Sequence, residues 1–540
     1  MSFMGGNGQG EALKRRWQRR LLRHLNNLRI WRMAREVLRQ APAPRGDAVV
    51  MFKASSGIDD LSWNAGFHLI TSWALRLHGV PVVFFACHHG MSHCILSTDR
   101  QNPQRPPRCA TCIYQSHVLY TGAPVRWFHF SRESRLEAAL RDLSLEELAA
   151  FEWEGMPLGA LCLPGLRWIL RRHHLNDDAP TRYLMREYIL SAWNIAQAFG
   201  RFLDQVRPRA VIAFNGQFYP EAVVCYVARQ RGIRTITHEV GLQPASAFFT
   251  EGEATAYPIH IPPDFELNEA QNARLDAYLE QRFQGQFTMA GIRFWPEMRR
   301  LDRSFLEKAA RFRQIVPIFT NVIFDTSQPH ANTLFPDMFA WLDFTLERII
   351  RRHPETFFVI RAHPDESRPG KESQESVAEW VAERKVEELG NVLFVPPQEY
   401  FSSYELIQRS QFVMVYNSTI GLEASILGAA VLCAGKARFT QYPTVFFPKS
   451  VEEYLQLAEA FLQAEQLRAP QEHQRQARRF LYYQLFRASL PFDTYLRPGM
   501  PTTQAQLKPF PLSALSAEHS PTVRAILRGV LENGDFLLEE

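Results

Sequence analysis

The sequence predicts an α/β protein with two doubly wound, Rossmann-like halves facing a cleft, preceded by a basic helix. Three observations predict it. The chain has 540 residues, more than one ordinary domain holds. Short apolar β runs alternate with helical stretches in two separate series, the pattern of parallel sheets. The charge is also segregated. Residues 1–45 hold eleven cations, Lys14 and ten arginines, against Glu11 and Glu36, a local +9; with +5 overall, the remaining 495 residues carry −4. A composition of 46% hydrophobic and 22% charged residues excludes disorder, collagen and coiled coil for the whole chain.

Residues 1–46 form the basic segment. Leu13, Trp17, Leu21, Leu25, Leu28, Trp31 and Leu38 recur at helical spacing and make one apolar stripe, with arginines over most of the remaining surface. Two readings stay open: residues 11–40 dock on an anionic inner-membrane surface, or the helix packs on the protein's own acidic body. Nucleic acid is not expected as a partner, because the body has no second basic patch. Arginines interrupt every apolar stretch, so no signal peptide is expected. The weakly charged run 412–435 contains Asn417, Ser418, Thr419 and Glu423, which fits a strand–turn–helix–strand unit and not a membrane span. A cytoplasmic protein, soluble or peripheral on the membrane, is expected.

Residues 47–300 read as the first half. Strands are expected at 48–54, 80–86, 210–214 and 234–238, and helices at 63–78, within 132–206 and at 221–231. Residues 241–265 read as a crossing segment. Residues 301–470 read as the second half, with strands at 315–320, 356–361, 392–395, 412–416 and 430–434. Residues 471–540 read as a helical tail. No repeat, Walker motif or dinucleotide fingerprint is present.

Ligands of open α/β sheets bind beyond the carboxyl ends of the strands, so residues there are the candidates. Ser418, Thr419, Gly421 and Glu423 follow a strand and open a helix. Two hydroxyls and free N–H groups there suit a phosphate, Gly421 admits a close ligand, and Glu423 offers acceptors to ribose hydroxyls. Ser418 or Thr419 as a plain helix cap, and Glu423 as a dipole partner, is the competing reading. Arg361 ends another strand, and Pro364 keeps His363 on the loop after it. A histidine and an arginine in that place stabilise a departing phosphate. In the first half, Asp59, Asp60 and Glu239 sit at strand ends, where one carboxylate takes a proton from an acceptor hydroxyl; Asp59 or Asp60 as a helix cap competes. Cys87, Cys94, Cys109 and Cys112 fall within 26 residues, and seven cysteines overall are no disulfide scaffold. The close spacing of Cys109 and Cys112 suits a structural zinc, with reduced, unliganded thiols as the alternative.

The stretches Thr320–Asp325, Ile360–Pro364, Asn391-Val392 and Ser418–Ala424 together resemble the capsule polysaccharide biosynthesis glycosyltransferases, a group with the GT-B fold that includes relatives of bacterial Kdo transferases. The His-Pro and Ser-Thr pairs are also similar to the CMP-binding signature of GT-B sialyltransferases. The resemblance implies phosphate contact by His363, Ser418 and Thr419, ribose contact by Glu423, and inverting, metal-independent transfer from a nucleotide-sugar, preferably a CMP-sugar. The acceptor implied is a surface or capsular polysaccharide or a glycolipid, with no cofactor required for catalysis. A CDP-alcohol phosphotransferase, a sugar-nucleotide epimerase, and a non-catalytic GT-B-like subunit anchoring an assembly complex at the membrane are the alternatives.

Overall fold

The computed structural model describes residues 7–54, 60–285, 288–289, 292–293 and 298–540. The strands in chain order are β1 Val49–Lys53, β2 Val82–Cys87, β3 Val125–Phe128, β4 Ala210–Phe214, β5 Arg234–Val240, β6 Ser246–Glu251, β7 Thr288–Met289 and β8 Ile292–Arg293. They continue with β9 Gln314–Phe319, β10 Thr356–Arg361, β11 Val392–Val395, β12 Val413–Val415, β13 Val431–Cys433, β14 Leu490–Pro491, β15 Leu496–Pro498 and β16 Ala505–Leu507.

Two sheets dominate. The first has the order β14-β6-β5-β4-β1-β2-β3 and the second β11-β10-β9-β12-β13. Strands β1 to β5 and β9 to β13 are parallel within their sheets, and each set is arranged as 3-2-1-4-5. The fold is therefore GT-B-like: two doubly wound units, each with a switch in strand direction of travel, at β1/β4 and at β9/β12. The central strands bury both faces. All of Thr356–Arg361 is buried, as expected for a parallel strand covered by helices on both sides.

The helices start where the sequence offers a cap. Ser62 accepts the Ala65 N–H ahead of helix Trp63–Leu77, so the cap of this helix is Ser62 and not Asp60. Asp178 caps the long helix Ala179–Val206, with Pro180 in its first turn.

Three segments depart from the expected layout. Residues 246–251, expected in a crossing segment, pair antiparallel with β5. The tail is not only helical: β14 joins the edge of the first sheet through β6, and β15 pairs with β16. The tail thus returns to the first half and helps to complete its core, with Leu490, Phe492, Tyr495 and Ile526 buried beside Val49 and Phe67.

The basic segment is one helix, Asn7–Gln40. It packs on the body, but by the face opposite the expected stripe. Asn26, Asn27, Ile30, Ala34 and Val37 are buried. Asn27 and Gln115 exchange both side-chain hydrogen bonds at 3.1 Å, and Asn26 accepts the Leu507 N–H. Trp17, Leu21, Leu25, Leu28, Trp31 and Leu38 remain exposed. No described helix is long and apolar enough to cross a membrane.

Candidate functional site

The switch point of the second sheet carries a pocket of ≈130 Å³. Its wall includes Thr320 after β9, Arg361 at the end of β10 and His363 after it, and Ser418, Thr419 and Glu423 after β12, with Arg282 and Tyr404. Five of the expected second-half residues therefore meet in one place. Two neighbouring strand ends, those of β10 and β12, deliver them, because parallel strands end on the same side of the sheet.

His363 accepts the Asp365 N–H through Nδ1 at 3.1 Å. Its proton then resides on Nε2, which is free to donate. Burial lowers its pKa, Asp365 and Asp325 oppose this, and Arg361 adds to it. The ring is thus a neutral N–H donor near pH 7. Arg361 is buried and donates to the Glu399 carbonyl at 3.3 Å. Burial brings its pKa down to about 10, so it keeps its charge at neutral pH. Thr419 occupies the cap position of helix Ile420–Ile426 without a side-chain capping bond, which leaves its hydroxyl to the pocket.

Glu423 and Gly421 play parts that spacing alone does not give. Glu423 is buried; Oε1 takes a 2.8 Å hydrogen bond from Arg282 Nε, and Oε2 accepts the Tyr404 hydroxyl at 2.5 Å. Burial would lower the Arg282 pKa, but Glu423, Tyr278 and Tyr404 together outweigh it and the net shift is upward. This ion pair builds the pocket wall. Gly421 is buried away from the lining. A Cβ there would lie 3.0 Å from Val415 Cγ2 and 3.3 Å from Phe439 Cζ, so the glycine serves helix–strand packing and not ligand approach.

On the first half, Glu239 near the end of β5 accepts the Val240 N–H at 2.8 Å and the Asn215 amide at 3.3 Å. Burial raises its pKa; the two hydrogen bonds oppose this, and Asp325 of the second half raises it further. Asp60 is buried, with Oδ1 accepting the Leu61 N–H at 2.8 Å. Asp59 lies outside the described residues. Sequence reading missed Lys53 and Glu221, which line a small pocket at the β1/β4 switch point. Burial lowers the Lys53 pKa against the pull of Glu221, and burial raises Glu221 to about 7. The strand-end position of Lys53 was visible in the sequence; its partner, 168 residues away in the first turn of another helix, was not.

The four expected cysteines also converge. Cys87, Cys94, Cys109 and Cys112 line one small void near the end of β1. Among the described residues, three candidate metal ligands lie within 4.8 Å of one another only in the group His173, His174 and Asp337. His174 there joins the two halves, with Nδ1 2.5 Å from Glu375 and Nε2 3.2 Å from Asp337.

Residues 284–442 match the family model of capsule polysaccharide biosynthesis proteins. The match spans every residue named in the second-half pocket except Arg282, and the stretches Thr320–Asp325, Ile360–Pro364, Asn391-Val392 and Ser418–Ala424. No curated protein is significantly similar to the chain. Among solved structures, the chain is similar to a β Kdo 2,4 transferase, KpsC, of Thermosulfurimonas dismutans (12% identity, 56% of this chain and 84% of that one, TM-score 0.32). It is also similar to an α,α-trehalose 6-phosphate synthase of Burkholderia multivorans (10%, 81% and 95%, 0.32) and to a UDP-N-acetylglucosamine 2-epimerase (11%, 91% and 96%, 0.24). The fold assignment rests on the strand orders given above.

Proposed function

We propose that this capsule-biosynthesis-like chain is an inverting, metal-independent glycosyltransferase that moves a sugar from a nucleotide-sugar, preferentially a CMP-sugar, to a glycan or glycolipid acceptor. The observation that carries the reading is the convergence of the His363 Nε2–H, the Arg361 cation and the Ser418 and Thr419 hydroxyls on one pocket. These are donors and a charge suited to a phosphate, at the switch point where such sheets bind ligands. In the proposed step the acceptor oxygen attacks the anomeric carbon and its proton passes to Glu239. The carbon–oxygen bond to the phosphate breaks with its electron pair on the phosphate, which His363 and Arg361 stabilise. The CMP preference comes from the motif likeness alone.

The test is transfer measured with a panel of CMP-, CDP- and UDP-donors, with and without chelator. His363→Ala should cut kcat by about 10²–10³-fold, the cost typical of removing one such donor, while the thermal midpoint stays near that of the wild type. Wild-type-like turnover in that variant overturns the role. Epimerised or phosphotransfer product from any donor overturns the reaction class.

The same reading places the chain on an anionic membrane surface. Trp17 is 63%, Leu21 59% and Leu38 53% exposed, on a helix whose other face is anchored to the body. Arginines flank the stripe: the Arg20 and Arg35 guanidinium carbons lie 6.0 and 4.7 Å from the ring centroids of Trp17 and Trp31. An exposed aromatic and leucine stripe beside cations fits a headgroup layer. Flotation with phosphatidylglycerol vesicles should retain the protein and neutral vesicles should not; equal recovery on both defeats the electrostatic part.

A further inference from the structure

We propose that Cys87, Cys94, Cys109 and Cys112 bind a single thiophilic divalent cation, zinc being the ion the four-thiolate set suits. The cation would lock the 87–112 loop onto the first sheet. This is independent of the transferase reading.

Cys87 ends β2, Cys94 precedes a turn, and Cys109 and Cys112 sit in the first turn of helix Cys109–Leu119. These separate pieces of backbone bring four thiols to one void of ≈20 Å³. A void of that size admits one small guest. All four are free thiols, although disulfide partners stand close by in sequence. The other three cysteines are buried singly elsewhere.

The surrounding backbone is set for sulfur charge. The Gly90 N–H donates to Cys87 Sγ at 3.2 Å, while the Ser97 N–H is taken by the Cys94 carbonyl at 3.1 Å. An N–H donor three residues on stabilises the Cys87 thiolate. A bound cation displaces the thiol protons. The sulfurs are not drawn into a set of three within 4.8 Å. Zinc–sulfur bonds of about 2.3 Å put sulfurs roughly 3.8 Å apart, so binding draws the four sulfurs together. The histidine–carboxylate group is the weaker metal candidate, since both His174 nitrogens already face carboxylates.

The consequence lies in what the loop builds. Leu96, Asp99, Arg105 and Arg108 line a groove of ≈820 Å³ together with Arg172 and Asn176. An ion at the loop's base would fix the loop's part of that groove.

The test uses the full chain, expressed with zinc supplied and dialysed before elemental mass spectrometry. About one zinc per chain is expected, falling below roughly a tenth in the Cys109→Ser/Cys112→Ser double variant and unchanged in Cys162→Ala. If the double variant fails to fold, cobalt-loaded wild type decides, and it should show thiolate-to-cobalt charge-transfer absorption. Chelation should make residues 87–112 the first site of limited proteolysis. Less than a tenth of an equivalent in the wild type, a Cys109–Cys112 disulfide in freshly purified protein, or iron in place of a single zinc overturns the proposal.

Discussion

His363 illustrates how far a residue's role follows from its neighbours in sequence. The strand before it and Pro364 after it place it on a loop, and that much is legible. Its tautomer is not, because it depends on the Asp365 N–H reaching Nδ1. Glu423 shows the opposite case. Its helix position suggested ribose contact, whereas its carboxylate faces Arg282, 141 residues away, a pairing that only the tertiary fold creates. Removing one member of a buried ion pair leaves the other charge uncompensated and costs about 3–5 kcal/mol. Side-chain exposures of 16% for Arg282 and 4% for Glu423 place the pair in that class. Glu423→Gln should therefore shift the urea midpoint by an amount equivalent to about 3 kcal/mol at unchanged slope. Nucleotide affinity of the folded variant should change little. Unchanged stability with affinity weakened tenfold would restore the ribose role.

At the scale of elements, long strands with β-branched and aromatic runs were readable: Ala210–Phe214, Thr356–Arg361 and Val392–Val395 fall on their expected bounds. The edge strands were not. Ser246–Glu251 follows a turn in a segment mixed with Pro, Ala and Thr, and Leu490–Pro491 is two residues that become a strand only because β6 offers an open edge. The turn at Ser418 was readable; the close approach of helix Ile420–Ile426 to Val415 and Phe439 at Gly421 was not. An added methyl in a packed site costs about 1–3 kcal/mol. Gly421→Ala should lower the unfolding free energy by that amount without displacing nucleotide from the pocket. A variant as stable as the wild type but unable to bind nucleotide would return Gly421 to the ligand.

At the scale of the whole molecule, the two halves and their cleft were legible from the alternation, but the contacts that set the halves against each other were not. His174 is one of them. Its hydrogen bonds to Asp337 and Glu375 raise its pKa to about 10. Burial would raise Asp337, but the His174 and Ala340 bonds bring it down to about 2. A raised histidine pKa gives stability that is full below about 6.5 and lost as pH climbs through about 10; a depressed carboxylate pKa gives stability present above about 3.9 and lost as pH falls through about 2. His174→Ala should therefore lower the thermal midpoint most at pH 5–6, less at pH 8–9, and hardly at all above pH 10. A difference that grows with pH would exclude this origin.

The N-terminal helix divides into an exposed upstream stretch and a downstream stretch packed on the body. From Asn26 onward it is a structural element: Ile30, Ala34 and Val37 have no exposed surface, and Asn26 and Asn27 are hydrogen-bonded to Leu507 and Gln115. Burial of one aliphatic side chain is worth about 1.5–3 kcal/mol, so losing Ile30 and Val37 alone removes roughly 3–6 kcal/mol. Upstream, Trp17 and Leu21 touch solvent and contribute little to that core. Deleting residues 1–24 should thus leave the thermal midpoint near that of the wild type while releasing the protein from phosphatidylglycerol vesicles. Deleting 1–45 should lower the midpoint by several degrees or leave the protein insoluble. If both truncations keep wild-type stability, the helix is a detachable address after all. If the shorter one keeps its vesicle binding, the exposed stripe is not what holds the membrane.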